Sequence, residues 1–164
     1  MKKLIMPLLA LIVCWGITGD LMAASKRDLQ RKRHLDDKKN EVKWYNNLNT
    51  ALTEAKKSNK QILLLITGSD WCPVCKNLHS KVFEHKDFKE FANKKLVLLK
   101  ADFPRRREQN AMEKGQAQEV VKKYPSSGYP TVYLLDSQGN VLEKKVGFGG
   151  GSAKSYLKSF KKLK

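Results

Sequence analysis

Two cysteines separated by two residues carry the strongest chemical signal in this sequence. They lie in the segment GSDWCPVC, residues 68–75, with Trp71 before Cys72 and Pro73-Val74 between Cys72 and Cys75. Such a pair can bind zinc, form a structural disulfide or carry out thiol–disulfide exchange. A disulfide across two residues closes a very short loop, and the stabilisation from a disulfide grows with loop length. Redox chemistry is therefore the leading hypothesis for this pair.

Zinc binding is the main alternative, with His79 and His85 completing a C-x2-C-x3-H-x5-H set. Structural zinc sites usually join two ligand pairs across a longer loop, and this set lacks that spacer. We therefore predict no metal and no other cofactor. We expect His79 to be a solvated surface residue rather than a proton donor to the cysteines.

The residues around the cysteines predict a buried strand that leads into a helix. Gln61 to Thr67 is a continuous apolar run of strand length, typical of a strand covered on both faces. Pro73 suits the first turn of a helix, because its missing N–H needs no partner there and its fixed φ is helical. The spacing of Val74, Leu78 and Val82 predicts that they share the apolar face of that helix.

This arrangement places Cys72 at a helix N-terminus and Cys75 one turn further along. The thiolate is the nucleophile in disulfide exchange, and the positive end of the helix dipole stabilises it. We therefore predict that Cys72 attacks a substrate disulfide. We expect Cys75 to be more buried than Cys72 and to resolve the mixed disulfide that forms.

The rest of the chain alternates between helical and strand patterns. We predict a short strand around Val42–Tyr45, strands over Lys95–Ala101, Thr131–Leu135 and Val141–Val146, helices within Trp44–Lys57, over Gln116–Tyr124 and after Ser152, and a polar loop over Pro104–Gly115. This order of elements predicts an α/β fold with a mixed central sheet flanked by helices.

The first residues have the composition of a secretory signal peptide. A basic start precedes an apolar run over residues 4–17, and the small residues Ala23 and Ala24 follow. An exported protein meets an oxidising compartment, where disulfide chemistry is available. We therefore predict a signal peptide over 1–24, a charged flexible or helical arm over 25–41, and a folded domain over 42–164.

The chain is strongly basic, with 33 Lys and Arg against 16 Asp and Glu and a net charge of +17. The basic residues are spread through the arm, the loop Arg105–Arg107 and the last helix. An exported protein meets little nucleic acid, so we predict no nucleic-acid partner. The charge indicates a solvated basic surface. The functional alternative is that the arm makes transient contact with anionic surfaces.

The segment ITGSDWCPVCKNLHSKVF, joined to Gly128-Tyr129-Pro130-Thr131 before a hairpin, resembles the thioredoxin family. The resemblance covers residues 42–163 and points to exported thioredoxin-like thiol–disulfide oxidoreductases, the group of periplasmic reductases and disulfide isomerases. It implies the thioredoxin fold, dithiol–disulfide exchange and a cis peptide before Pro130. By this resemblance Trp71, Tyr129 and Pro130 contact the substrate, and Trp71 packs beside the dithiol.

The sequence departs from thioredoxin at positions that bear on its chemistry. Thioredoxin has a buried acid six positions before the first cysteine, where this chain has Ile66. Another group or water must therefore act as the base for Cys75. Pro73-Val74 tunes the redox couple, and it lacks the His that strong oxidants and isomerases of the family carry there, which favours a reducing couple. The loop Arg105–Arg107 has no counterpart in minimal thioredoxin.

These inferences predict a periplasmic thiol–disulfide oxidoreductase that reduces disulfides in protein substrates. A periplasmic reductase has to be re-reduced, which implies an electron donor in the membrane. An isomerase or oxidase of the same fold is the first alternative. The second is a non-catalytic thioredoxin-like module that docks a partner through its basic arm, and the intact cysteine pair at a helix start argues against it.

Overall fold

The computed structural model describes residues 26–31 and 41–164 of the chain. The predicted signal peptide lies outside these residues, and so does most of the predicted arm, of which residues 26–31 are helical with exposed side chains. The folded unit that carries the cysteines spans Asn40–Lys164. Among the described residues, no helix has both the length and the apolar character needed to cross a membrane.

Five strands form a mixed sheet in the order β1-β3-β2-β4-β5. They are β1 (Trp44–Tyr45), β2 (Gln61–Thr67), β3 (Leu96–Asp102), β4 (Thr131–Leu135) and β5 (Val141–Val146). Strands β1, β3 and β2 are parallel, whereas β4 runs antiparallel to β2 and β5 runs antiparallel to β4. The central strand β2 is buried over nearly its whole length, as its continuous apolar run predicts.

Helices cover both faces of the sheet, which confirms the predicted α/β architecture. They are α1 (Leu48–Ser58), α2 (Pro73–Leu78), α3 (Lys86–Lys95), α4 (Ala111–Lys123) and α5 (Ala153–Lys158), and a π-helical turn over His79–Phe83 follows α2. The caps of α1, α4 and α5 are Asn47, Asn110 and Ser152, whose side chains each accept a backbone N–H from three residues later.

Alternate residues of β2 point to opposite faces of the sheet and join two hydrophobic cores. Leu63 and Leu65 pack with the helices after the cysteines and with α5, through residues that include Leu78, Phe83, Phe88 and Tyr156. Ile62, Leu64 and Ile66 pack with α1 and α4, through residues that include Leu48, Ala51, Ala117 and Val120. These two layers fix the end of β2, from which the cysteine segment continues.

Several element boundaries differ from the sequence expectations. The first helix begins only at Leu48, because Trp44 and Tyr45 pair with β3 as strand β1. Helix α4 begins at Ala111, inside the predicted polar loop, because the Asn110 side chain caps it there. Helix α3 has no counterpart among the predicted elements, although its buried residues Phe88 and Ala92 have helical spacing.

One predicted apolar face needs correction, and the last helix is shorter than the core that it joins. The helix after Cys72 buries Leu78, but Val74 is 40% exposed, because Cys75 rather than Val74 faces the core. The last helix ends at Lys158, yet Phe160 beyond its end is still buried in the same core.

Candidate active site

Cys72 is the N-cap residue of α2, and its sulfur occupies the place of a capping oxygen. Its backbone is extended, with φ −84° and ψ 110°, and Pro73 follows as the first helical residue. The Cys72 Sγ accepts a hydrogen bond from the backbone N–H of Cys75 at 3.2 Å. Since N–H donors and the positive end of the helix dipole favour negative charge, the Cys72 sulfur occupies a position suited to an attacking nucleophile.

Cys75 lies one turn into α2 and contacts the end of β2. Each of the two cysteines is 5% exposed, so the expectation that Cys75 is the more buried is wrong. Burial raises the pKa of the Cys75 thiol, and its hydrogen bond with Cys72 raises it further. Hydrogen bonds from the Thr67 hydroxyl and the Gly68 backbone act in the opposite direction. The net pKa lies above the ordinary 9.0, so Cys75 is mainly protonated at neutral pH.

Thr67 is a functional candidate that sequence reasoning missed. It is the last residue of β2, it is buried, and its hydroxyl hydrogen-bonds Cys75. Ile66 is buried in the core beneath α1 and α4, on the opposite face of the sheet. Strand residues alternate between the two faces of a sheet, so the odd-numbered positions of β2 face the layer that contains α2. This alternation predicts that Thr67 faces the cysteines.

The Trp71 ring is held from several sides next to the cysteines. Its Nε1–H donates to the Phe103 carbonyl at 2.8 Å. The ring meets Tyr129 edge to face, with centroids 5.4 Å apart. Gly68 lies so close to the ring that a Cβ at this position would overlap it. The half-buried Trp71 ring is therefore held in one orientation immediately before Cys72.

The turn before β4 reaches the same end of the sheet as the cysteines. The peptide bond between Tyr129 and Pro130 is cis. Thr131, the next residue, pairs with Ile66 near the end of β2. Because β2 leads directly into the cysteine segment, Tyr129 and Pro130 lie beside that segment, as the contact of Tyr129 with Trp71 also shows.

The basic loop Arg105–Arg107 is tied to Asp70, two residues before Cys72. The Asp70 carboxylate accepts hydrogen bonds from the backbone N–H groups of Arg105 at 3.0 and 3.2 Å, Arg106 at 2.7 Å and Arg107 at 3.0 Å. Partial desolvation raises the pKa of Asp70, but these donors outweigh it and hold the pKa below its ordinary value. The guanidinium of Arg105 also stacks on Trp71, 3.8 Å from the ring centroid.

A second set of contacts fastens the same loop to the cysteine segment. Asp102, the buried last residue of β3, accepts the Ser69 N–H at 3.0 Å and the Ser69 hydroxyl at 2.7 Å. The Arg107 guanidinium pairs with Asp102 at 3.4 Å and with Glu113 at 3.3 Å. Asp102 lies opposite Thr67 in the sheet register, a long-range pairing that no local sequence signal marks.

The two histidines of the candidate zinc set have other partners. His79 is 55% exposed and lies 3.5 Å from Glu84, and His85 lies 3.4 Å from Asp87. Within residues 26–31 and 41–164, no three His, Cys, Asp or Glu side chains converge as metal ligands. The two cysteines instead contact each other, and Cys75 also contacts Thr67 and the Gly68 backbone.

Of the predicted site residues, the structure brings together Trp71, Cys72, Cys75, Tyr129 and Pro130 at one end of the sheet. Pro73 and Val74, between the cysteines, are exposed beside them. Ser69, Asp70 and Asp102 were not predicted, and they fix the position of the segment and of the arginine loop.

A mixed sheet with a dithiol at the start of the helix after β2 defines a thioredoxin-like protein. The family model described as thioredoxin-like matches residues 43–137, and the chain belongs to this family. The resemblance inferred from the sequence and the predicted thioredoxin fold are both confirmed.

Two curated proteins of Chlamydia pneumoniae are similar to this chain. Disulfide bond reductase DsbH is 32% identical over 111 residues, which cover 68% of this chain and 66% of that protein. Thioredoxin-related protein DsbJ is 22% identical over 66% of this chain and 31% of its own length. The chain therefore spans less than two thirds of either relative.

Solved structures give the same picture. A structure described as DsbH oxidoreductase has a TM-score of 0.67 and 31% identity, and covers 76% of this chain and 87% of its own. A putative disulphide-isomerase from Bacteroides thetaiotaomicron has a TM-score of 0.55 and 27% identity, with coverages of 74% and 93%. Their names describe different reactions, so the shared fold does not fix the direction of disulfide exchange.

Proposed function

We propose that this protein is a thiol–disulfide oxidoreductase that reduces disulfides of protein substrates in the periplasm. One observation carries the proposal: the Cys72 sulfur caps α2 and accepts the N–H of Cys75, at the end of the sheet where Tyr129 and Pro130 lie. A thiol at a helix start is an activated nucleophile, and a second thiol within reach can resolve its intermediate.

The reaction transfers two electrons from the dithiol to the substrate. The Cys72 thiolate attacks one sulfur of the substrate disulfide, and the other substrate sulfur leaves as a thiolate. Cys75 then loses its proton and attacks the Cys72 sulfur, which releases the second substrate thiolate. A Cys72–Cys75 disulfide remains on the protein. Thr67 assists the second step, because its hydroxyl stabilises the Cys75 thiolate.

Two observations favour reduction over the reverse reaction. No His lies between the cysteines to stabilise the reduced thiolate, as Pro73 and Val74 occupy those positions. The relative that is 32% identical is named a disulfide bond reductase. Isomerisation is the second candidate, favoured by the fold shared with the Bacteroides protein named a putative isomerase.

The proposed location follows from the predicted signal peptide over residues 1–24 and from the Dsb names of the relatives. A reductase in an oxidising compartment needs a source of electrons, and we propose a membrane protein as that donor. If Cys72 and Cys75 stayed reduced in cells without any such donor, this part of the proposal would be wrong.

Insulin reduction tests the catalytic proposal. With dithiothreitol as the reductant, residues 25–164 should accelerate insulin precipitation. The Cys72→Ser variant should fall to the rate of dithiothreitol alone, because a hydroxyl is a far weaker nucleophile than a thiolate. As a matched control, Met112→Ser at a position that is 73% exposed should keep the full rate. Equal rates for Cys72→Ser and the unchanged protein would favour a non-catalytic binding module instead.

A further inference from the structure

We infer that Arg105 and Arg106 form a docking surface for acidic residues that flank the disulfide of a polypeptide substrate. The guanidinium groups of these two residues are called the arginine surface below. The inference rests on the proposed function and adds a substrate class to it. It predicts that the protein reduces disulfides in acidic sequence contexts faster than the same disulfides in neutral or basic contexts.

The position of the arginine surface is fixed with respect to the nucleophile. Asp70 binds three successive N–H groups of the loop, and Asp70, Trp71 and Cys72 are consecutive in the chain. The Arg105 guanidinium lies on the face of Trp71. The Asp102 contacts with Ser69 provide a second attachment. A loop held at two points keeps its backbone beside the cysteine segment, and the side chains of Arg105 and Arg106 extend from there.

The charge of the arginine surface is available for a ligand. Arg107 is paired with Asp102 and Glu113, so its charge is largely compensated. In the described part of the chain, by contrast, no carboxylate lies within salt-bridge distance of the guanidinium of Arg105 or Arg106. The Asp70 carboxylate is occupied by the backbone donors of the loop. Arg105 and Arg106 are both exposed.

A bound polypeptide would pass within reach of this surface. Tyr129 touches Trp71 on one side, and Arg105 covers a face of the same ring. An extended chain advances about 3.3 Å per residue, so side chains two or three positions from the substrate cysteine can reach the arginines. Guanidinium groups bind carboxylates through paired N–H donors, which makes Asp and Glu the matching side chains.

The test compares one disulfide peptide in three versions, whose positions two and three residues from each cysteine are all Glu, all Gln or all Lys. We expect the protein to reduce the Glu peptide roughly threefold to tenfold faster than the Gln peptide in kcat/KM, as exposed ion pairs permit. The Lys peptide should be slower than the Gln peptide. Added salt should shrink these differences, because the groups are exposed.

Variants assign the preference to the arginine surface. Arg105→Gln/Arg106→Gln should bring the ratio of Glu to Gln peptide rates close to one. Arg106→Gln alone preserves the stack of Arg105 on Trp71 and should lower the ratio in part. Lys56→Gln/Lys57→Gln is the matched control, because it removes the same amount of charge from the last turn of α1, near the start of β2 and far from the cysteines. This variant should keep the full ratio.

A binding measurement separates this inference from the proposed function. Cys72→Ser/Cys75→Ser has no redox chemistry, yet it should still bind the Glu peptide more tightly than the Gln peptide, through Arg105 and Arg106. If the unchanged protein reduced none of the three peptides, the proposed function would be wrong, but the inference about binding would still stand. Equal rates and equal binding for the Glu and Gln peptides would overturn the inference. So would a preference that survives in Arg105→Gln/Arg106→Gln.

Discussion

At the residue scale, the two sulfurs are equally buried but have different partners. Cys72 accepts the N–H of Cys75 at the start of α2, the position expected for the attacking sulfur. Cys75 has its pKa raised, first by burial and then by Cys72, against the opposing hydrogen bonds of Thr67 and Gly68. The first sulfur is therefore positioned for attack, whereas the second must lose its proton before it can resolve the mixed disulfide.

This difference predicts a pH dependence of the resolving step. Below its pKa, the thiolate fraction of Cys75 rises tenfold per pH unit, and the pKa lies above 9.0. In a mixed disulfide the Cys72 thiol no longer acts on Cys75, but burial, the largest cause of the raised pKa, remains. The release of a chromophoric thiol from a mixed disulfide on Cys72 should therefore still accelerate as the pH rises above neutral. A rate that levels off near neutral pH would show that Cys75 is already ionised there.

Thr67→Val should slow the same step at neutral pH by roughly tenfold, because it removes a hydrogen bond to the developing thiolate while keeping the side-chain shape. Thr53→Val is the matched control, since its exposed hydroxyl donates to the Asn49 carbonyl of its own helix, away from the cysteines. A stopped-flow measurement of the resolving step should find the control unchanged. An unchanged rate in Thr67→Val would remove Thr67 from the mechanism.

The residues of the dithiol could be predicted from the sequence, but only part of their surroundings could. The spacing of Cys72 and Cys75, the placement of Pro73 and the alternation along β2 that reaches Thr67 are local signals. Asp102 lies opposite Thr67 across a parallel strand pair, and pairing between distant segments leaves no local trace.

At the element scale, the site depends on how two loops are joined. The segment after β2 carries Ser69 and Asp70, and the segment after β3 carries the basic loop. Because β2 and β3 are parallel neighbours, both segments leave the sheet at the same edge. Hydrogen bonds from one loop to Asp70, and from Ser69 to Asp102, then join them.

Asp70→Ala should loosen the loop without unfolding the domain. Three backbone N–H groups lose their acceptor, so the amides of Arg105, Arg106 and Arg107 should exchange with solvent roughly tenfold faster. Amides of the buried strand β2 should keep their protection in the same hydrogen-exchange experiment. Unchanged protection at all three arginines would mean that Asp70 does not hold the loop.

The pH dependence of this contact has a definite sign. The pKa of Asp70 is lowered from the ordinary 3.8 in the folded protein, since the N–H donors outweigh its desolvation. The stabilisation is therefore complete above the ordinary pKa and is lost as the pH falls through the lower, folded value.

Elements marked by apolar runs or turn-rich connections were predictable, whereas a helix start without a recognised cap was not. The observed bounds of β2, β4 and β5 equal the predicted ones. Helix α4 was placed too late, although Asn110 and Glu113 have the spacing of a capping pair. The predicted first helix overlapped the strand predicted around Val42–Tyr45. The strand is present as β1 and pairs with β3, so the helix was placed too early.

At the scale of the whole molecule, the protein combines a thioredoxin-like domain with a large excess of positive charge. The net charge is +17. The family membership and the cysteine geometry bear on disulfide exchange. The positive charge bears on which partners are attracted to the protein. The direction of electron flow is a property of the whole domain, because it depends on the relative stability of the dithiol and disulfide forms.

The redox equilibrium of residues 25–164 with glutathione tests the central claim most directly. A reductase should have a potential at or below about −250 mV, close to that of thioredoxin. The couple should disappear in Cys72→Ser and in Cys75→Ser, and it should persist in Met112→Ser. A potential above about −180 mV would instead mean that the protein donates disulfides, which would contradict the proposed direction.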